Sequence, residues 1–81
     1  MPKYLQTNEE LGKRIRLIRE QLGLSQESVA KELKINRSTY IHYEAGKTEP
    51  KIMTLIQLAK IYDLNLLYFV CEERPSEDEI F

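Results

Sequence analysis

The chain has 81 residues, 42% of them hydrophobic, which is enough apolar material for one small domain but too little for two. Its net charge is −1, its single cysteine, Cys71, cannot form an internal disulfide, and it has no apolar run of about 18 residues. These features exclude a disulfide-rich secreted scaffold and a membrane-spanning protein, and they favour a cytoplasmic location.

A first helix is predicted at about residues 8–22. Thr7 followed by Glu10 is the capping-box pattern of a helix start. Gly23 is expected to end the helix, because glycine accepts the positive φ that often follows a helix C-terminus. Apolar residues recur between these points at helical spacing and are expected to face inward, namely Leu11, Ile15, Ile18 and Leu22.

Two short helices are predicted next. Ser25 is suited to cap a helix at about residues 26–33, and Asn36 a helix at about residues 37–45. Because only residues 34–36 separate them, the two helices are expected to form a helix-turn-helix. The inward residues of this pair are Val29, Ala30, Leu33, Tyr40 and Tyr43.

The rest of the chain predicts two more helices. A loop with Gly46 and Pro50 precedes a fourth apolar-periodic segment at residues 51–63. Asn65 is placed to cap a fifth helix at residues 66–71, which is apolar on almost every side. A terminal helix of that kind needs packing partners on both faces.

The net charge is divided unevenly along the chain. Residues 1–71, the expected folded domain, carry 11 Lys and Arg against 8 Asp and Glu, a net charge of +3. Residues 72–81 carry one Arg against five acids, a net charge of −4, and are expected to form an acidic flexible tail. A basic body is compatible with DNA binding, whereas the tail is a candidate contact for a protein partner.

The sequence contains no motif for catalysis, a cofactor or a metal. The three glycines form no phosphate-binding loop, and neither His42 nor Cys71 has the companions that a zinc site requires. We therefore expect a protein that is not an enzyme and needs no cofactor.

The segment from Gln26 to Ala45 resembles the helix-turn-helix of the lambda-repressor and Cro-like family, also called the XRE type. The similarity covers about residues 11–69, from LGKRIRLIREQLGLSQESVAKELKINRSTYIHYEAGKTEP to LIQLAKIYDLNL. It implies an all-α, five-helix lambda-repressor-like domain with the helix-turn-helix at helices 2 and 3. Lys34 departs from the family pattern, because the family often has glycine at this turn. If the backbone is left-handed there, lysine carries about 1 kcal/mol of strain.

The resemblance further implies that the third helix enters the major groove of double-stranded DNA. Arg37 suits guanine because its forked guanidinium matches O6 and N7, with phosphate binding as the alternative role. The residues expected to read bases are Asn36, Arg37, Ser38, Ile41 and His42. Those expected to bind phosphates are Gln26, Lys47, Thr48 and Lys51.

Two further contacts follow from the resemblance. Arg19 and Glu44 match a family pattern in which an ion pair fastens helix 1 to helix 3, two solvated charges being the alternative. The family usually acts as two-fold dimers, and an apolar patch could serve this chain in the same way, unless its residues only fill the core. The patch consists of Ile56, Leu67, Tyr68 and Val70.

These observations favour a sequence-specific DNA-binding transcriptional regulator. We expect a repressor that acts as a homodimer on a near-palindromic operator. The alternative is a protein-interaction module, or an antitoxin or controller protein, whose main partner is another protein.

Overall fold

The computed structural model describes residues 3–72, and these residues form five α-helices. In chain order the helices are α1 (Asn8–Gln21), α2 (Gln26–Leu33), α3 (Arg37–Glu44), α4 (Ile52–Tyr62) and α5 (Leu67–Val70). The predicted all-α, five-helix architecture is confirmed, although α5 is shorter than predicted. Tyr4 and Cys71 add one antiparallel β-bridge that the sequence analysis did not anticipate.

The first three helices begin at the predicted caps. The Thr7 hydroxyl accepts a hydrogen bond from the Glu10 backbone N–H at 3.1 Å, and the Ser25 hydroxyl accepts one from Ser28 at 3.0 Å. The Asn36 side chain accepts a hydrogen bond from the Ser38 backbone N–H at the start of α3. Each cap satisfies an amide that has no partner inside its own helix. The side chains at the helix starts therefore fix where α2 and α3 begin.

The helices enclose one hydrophobic core. Phe69 of α5 is fully buried and stacks on Tyr62 of α4 with ring centroids 5.7 Å apart, which explains why a terminal helix is so apolar. Leu22 corrects the prediction for α1: it is 47% exposed, because the helix ends at Gln21 and Leu22 no longer lies on the inner face. The core contains Ile15, Ile18, Val29, Ala30, Leu33, Tyr40, Tyr43, Leu55, Leu58, Ala59, Tyr62 and Phe69.

α1 and the end of α3 are in backbone contact at Gly12. A Cβ at this position would lie 2.5 Å from the carbonyl oxygens of both Tyr43 and Glu44. Neither oxygen can move without distorting α3, so only glycine allows this approach. The contact sets the separation of α1 from the helix expected to read DNA.

The turn between α2 and α3 is left-handed at Lys34. Its backbone has φ 58° and ψ 41°, the conformation that the family glycine would adopt without strain. The N–H of Ile35 reaches back to the carbonyl of Ala30 at 3.1 Å and closes the turn. The structure therefore keeps the turn geometry with lysine in place of glycine.

The strain at Lys34 gives a stability prediction. We expect Lys34→Gly to raise the free energy of unfolding by about 1 kcal/mol, because glycine adopts positive φ without steric cost. Urea denaturation followed by circular dichroism measures the change. Lys31→Gly is the matched control, since Lys31 is an exposed lysine inside α2. It should lose about 0.5–1 kcal/mol. A loss of stability in both variants would contradict the strain argument.

Candidate nucleic-acid interface

The two faces of α3 differ in exposure. Tyr40 and Tyr43 are buried in the core, as the spacing predicted. On the opposite face Arg37 and His42 are exposed, and Ile41 is half-buried. The face therefore combines a cation, an imidazole and an apolar side chain, held by a helix whose other side is fixed in the core.

Two of the residues predicted to read bases contact each other. The Asn36 Oδ1 atom accepts hydrogen bonds from the backbone N–H of Ser38 at 2.8 Å and from its hydroxyl at 2.7 Å. Both side chains are exposed. The cap occupies the acceptor oxygen of Asn36, so its amide N–H groups are the part that can turn towards a ligand.

The residues predicted to bind phosphates lie at two places. Lys47, Thr48 and Lys51 are exposed in the loop between α3 and α4, together with Glu49. Gln26 is the first residue of α2 and is only half-exposed. The loop residues are therefore accessible, whereas Gln26 is partly enclosed by the domain.

A hydrogen-bonded ion pair joins α1, α2 and α3. Arg19 Nε donates to Glu44 Oε2 at 2.6 Å, and Arg19 Nη2 donates to Oε1 at 3.1 Å. Gln26 Nε2 also donates to Oε1, at 3.1 Å. Arg19 Nη1 donates to the Leu24 carbonyl at 2.8 Å, which ties down the turn before α2. The Glu44 side chain is only 3% exposed, so Arg19 and Glu44 form a buried ion pair and are not two separately solvated charges.

The protonation states of Glu44 and Arg19 follow from their contacts. Burial, the largest single influence, raises the pKa of Glu44. Hydrogen bonds from Arg19, Tyr40 and Gln26, together with the positive charge of Arg19, outweigh burial, and the pKa lies below the ordinary value of 4.5. The hydrogen bond to Glu44 is the main cause that raises the pKa of Arg19. Glu44 is therefore an anion at neutral pH.

The predicted dimer patch is only partly exposed. Leu67 is 43% exposed, whereas Ile56, Tyr68 and Val70 are half-buried. An open, mostly apolar depression begins at Ile56 and continues along the end of α4. Its other lining residues are Ala59, Lys60, Asp63, Leu64, Asn65 and Leu66.

Arg14 is a structural residue that the sequence analysis missed. Its guanidinium donates to the carbonyl oxygens of Tyr68 at 2.7 Å, Cys71 at 2.7 Å and Glu72 at 2.8 Å. These bonds fasten the end of α5 to α1. No sequence signal separates Arg14 from the other basic residues of α1, because its acceptors are backbone atoms more than fifty residues away.

The structure offers no sign of a metal site or a membrane span among residues 3–72. No three His, Cys, Asp or Glu residues in this range are grouped to hold a metal ion. None of the helices in this range is both long and apolar enough to cross a membrane.

Comparison with protein families and curated proteins gives clear matches. A family model described as a helix-turn-helix domain matches residues 12–70. The transcriptional repressor RstR of the cryptic phage CTXphi, from Vibrio cholerae, is 35% identical over 66 residues, which cover 82% of this chain and 60% of RstR. The chain spans between 38% and 60% of the length of the first curated relatives that it matches.

Solved structures share the fold. The restriction-modification controller protein C.AhdI from Aeromonas hydrophila matches with a TM-score of 0.69 and 29% identity, covering 73% of this chain and 89% of C.AhdI. The P22 c2 repressor, solved with a synthetic operator, matches with a TM-score of 0.67 and 26% identity. That match covers 80% of this chain and 94% of the repressor chain.

The lowered pKa of Glu44 predicts a pH dependence of stability. Because the pKa is lower in the folded than in the unfolded protein, the ionised carboxylate stabilises the fold above about pH 4.5. This stabilisation is lost as the pH falls through the lower pKa of the folded state. We expect Glu44→Gln to cost about 3 kcal/mol at pH 7, because it leaves Arg19 buried without an anion. The gap between wild type and variant should narrow below pH 4.5.

Urea denaturation across pH 3–7 measures this gap. The control is Glu20→Gln, because Glu20 makes an exposed ion pair with Arg16. It should change stability by no more than about 0.5 kcal/mol at any of these pH values. A Glu44→Gln cost that stays constant down to pH 3 would rule out ionised Glu44 as the source of the stabilisation.

Proposed function

Because the chain belongs to the helix-turn-helix domain family, we propose that it is a sequence-specific, DNA-binding repressor of transcription that acts as a homodimer. The outer face of α3 carries the proposal, since it exposes Arg37 and His42 while the tyrosines of the same helix lie in the core. α3 is the second helix of the helix-turn-helix, and in proteins with this motif the second helix enters the major groove of DNA. Likeness to the P22 c2 repressor, whose structure includes a synthetic operator, supports the same use of this fold.

Base reading is assigned to the start and outer face of α3. Arg37 is exposed in the first turn and can present its guanidinium fork to O6 and N7 of a guanine. Ile41 suits a thymine methyl group, and His42 can exchange a hydrogen bond with a base edge. Asn36 and Ser38 read bases through the polar atoms that their mutual hydrogen bonds leave available.

Phosphate binding is assigned to two segments that flank α3 in sequence. Gln26 begins α2, where the helix dipole and the amides of the first turn favour an anion. Lys47, Thr48 and Lys51 form the second segment and are exposed. Glu49 lies among them and limits how closely this loop approaches DNA.

The homodimer is proposed to form through the patch of Ile56, Leu67, Tyr68 and Val70. Leu67 is exposed on α5, while the depression that begins at Ile56 and includes Leu66 in its lining is mostly apolar. A two-fold axis would place the same patch of each copy against the other. It would present two copies of α3 to half-sites about 34 Å apart on one face of DNA.

The rival function is a protein-interaction module, antitoxin or controller protein whose main partner is a protein. The modest charge of residues 1–71 favours it, as does the likeness to C.AhdI, a restriction-modification controller protein. Its partner contact would use the acidic segment at residues 72–81, of which residues 73–81 lie outside the described structure. Either function is proposed to be carried out in the cytoplasm.

Selection of duplexes from a random pool at about physiological salt tests the proposed function. We expect a near-palindromic motif whose affinity falls steeply as salt rises, because phosphate contacts release counterions. Electrophoretic mobility shifts at several salt concentrations give the slope. Weak binding without an enriched motif would refute the repressor proposal and favour the protein-interaction function.

The roles of individual residues predict different specificity changes. Arg37→Ala should reduce discrimination at one base position by about 1–3 kcal/mol. Lys47→Ala should weaken all duplexes alike and reduce the salt slope by about 1. Competition binding against duplexes changed at single positions measures both effects. Lys13→Ala is the control, because Lys13 is exposed on α1. Equal weakening of every duplex by Arg37→Ala would contradict its base-reading role.

A further inference from the structure

We propose that Glu44 is a positioning residue for DNA binding, because its carboxylate holds the Gln26 side-chain amide ready to donate to a DNA phosphate. Gln26 Nε2 donates to Glu44 Oε1 at 3.1 Å, a contact between residues 18 positions apart in the sequence. The proposal rests on the phosphate-binding role of Gln26 given above. It assigns to Glu44 a task beyond the ion pair with Arg19.

The geometry of the amide makes this possible. A glutamine amide nitrogen carries two hydrogens in one plane with the carbonyl group. When one hydrogen is directed at Glu44, the plane of the amide is fixed and the direction of the second hydrogen is fixed with it. Among residues 3–72, Glu44 is the hydrogen-bond partner that the structure gives to the Gln26 side chain. The second N–H is therefore available to a ligand at the half-exposed start of α2.

Glu44 is a rigid support for this amide. Its side chain is 3% exposed, and the guanidinium of Arg19 holds both carboxylate oxygens. The backbone of Glu44 is fixed as well, because its carbonyl lies against Gly12 of α1. A glutamine bound to such a support has lost much of its rotamer freedom before DNA arrives, which reduces the ordering cost of binding.

The charge of Arg19 is necessary to the arrangement. An isolated carboxylate beside a phosphate site would repel the ligand. Arg19 neutralises Glu44 through two hydrogen bonds, so the pair carries no net charge. The carboxylate can then orient a phosphate donor without opposing the phosphate.

A double-mutant cycle tests the proposal on the duplex selected by the wild-type chain. We expect Glu44→Gln to weaken binding about 2- to 10-fold, the range for one unfixed side chain, with affinities referred to the folded fraction of each protein. The amide oxygen of the introduced side chain is expected at the Oε2 position, because Arg19 Nε lies only 2.6 Å from it. The NH₂ group then takes the Oε1 position and cannot accept a hydrogen bond from Gln26. In a Gln26→Ala background the same change should have no further effect on DNA binding.

The possible outcomes distinguish a failure of the positioning role of Glu44 from a failure of the phosphate-binding role of Gln26. If Gln26→Ala leaves the affinity unchanged, the phosphate-binding role of Gln26 is wrong, and the positioning role falls with it. If Gln26→Ala weakens binding but Glu44→Gln weakens both backgrounds equally, Glu44 acts only through the fold. Leu58→Val is the control for general damage, because Leu58 is fully buried in the core on α4 and its side chain has no polar atom that could join the Glu44 network. It should leave the affinity of the folded protein unchanged.

A second measurement needs no Glu44 variant. The NMR order parameter of the Gln26 side-chain amide in the free wild-type protein reports its freedom of motion. We expect a well-ordered Gln26 amide and a mobile amide at Gln57, which is exposed on α4. Equal mobility of the two amides would overturn the proposal.

Discussion

The Glu44 carboxylate is buried where α1, α2 and α3 meet, and its environment must keep it ionised. An unpaired anion in that position would cost several kcal/mol. Arg19 meets this requirement with two hydrogen bonds, and the same guanidinium also reaches the Leu24 carbonyl in the turn before α2. One ion pair therefore connects the last residue of α3, the body of α1 and the entry to α2.

The close packing at Gly12 and this ion pair depend on each other. The carbonyls of Tyr43 and Glu44 lie where a side chain at position 12 would be, so α1 passes near enough for Arg19 to reach the carboxylate. Buried ion pairs often add little stability over apolar packing of the same volume, but breaking one is costly. The pair is best understood as fixing one arrangement of α3 against the domain, which keeps the outer face of α3 at a defined orientation.

The sequence predicts the scaffold better than the polar contacts of the site. Periodicity places Tyr40 and Tyr43 in the core because a helix repeats every 3.6 residues, and capping residues locate the helix starts to within a residue. The spacing of apolar residues indicates that Arg37 and His42 face outward, but it does not show how far apart residues on different helices lie. The hydrogen bonds of Gln26 to Glu44 and of Arg14 to the end of α5 depend on such distances.

The DNA contacts proposed for one copy of the chain bear on the proposed homodimer. Specific protein–DNA complexes typically reach dissociation constants of 10⁻⁸–10⁻¹¹ M, which corresponds to about 11–15 kcal/mol. The bidentate contact proposed for Arg37 would supply about 1–3 kcal/mol of discrimination, and Glu49 would oppose the phosphate contacts proposed for Lys47 and Lys51. The net charge of residues 1–71 is only +3, so non-specific attraction to DNA is also weak. A dimer makes two sets of contacts with one duplex but loses translational and rotational freedom only once on binding. After one copy has bound, the other copy is held near its half-site at a high effective concentration. The proposed dimer therefore offers a physical route from weak non-specific attraction to specific recognition.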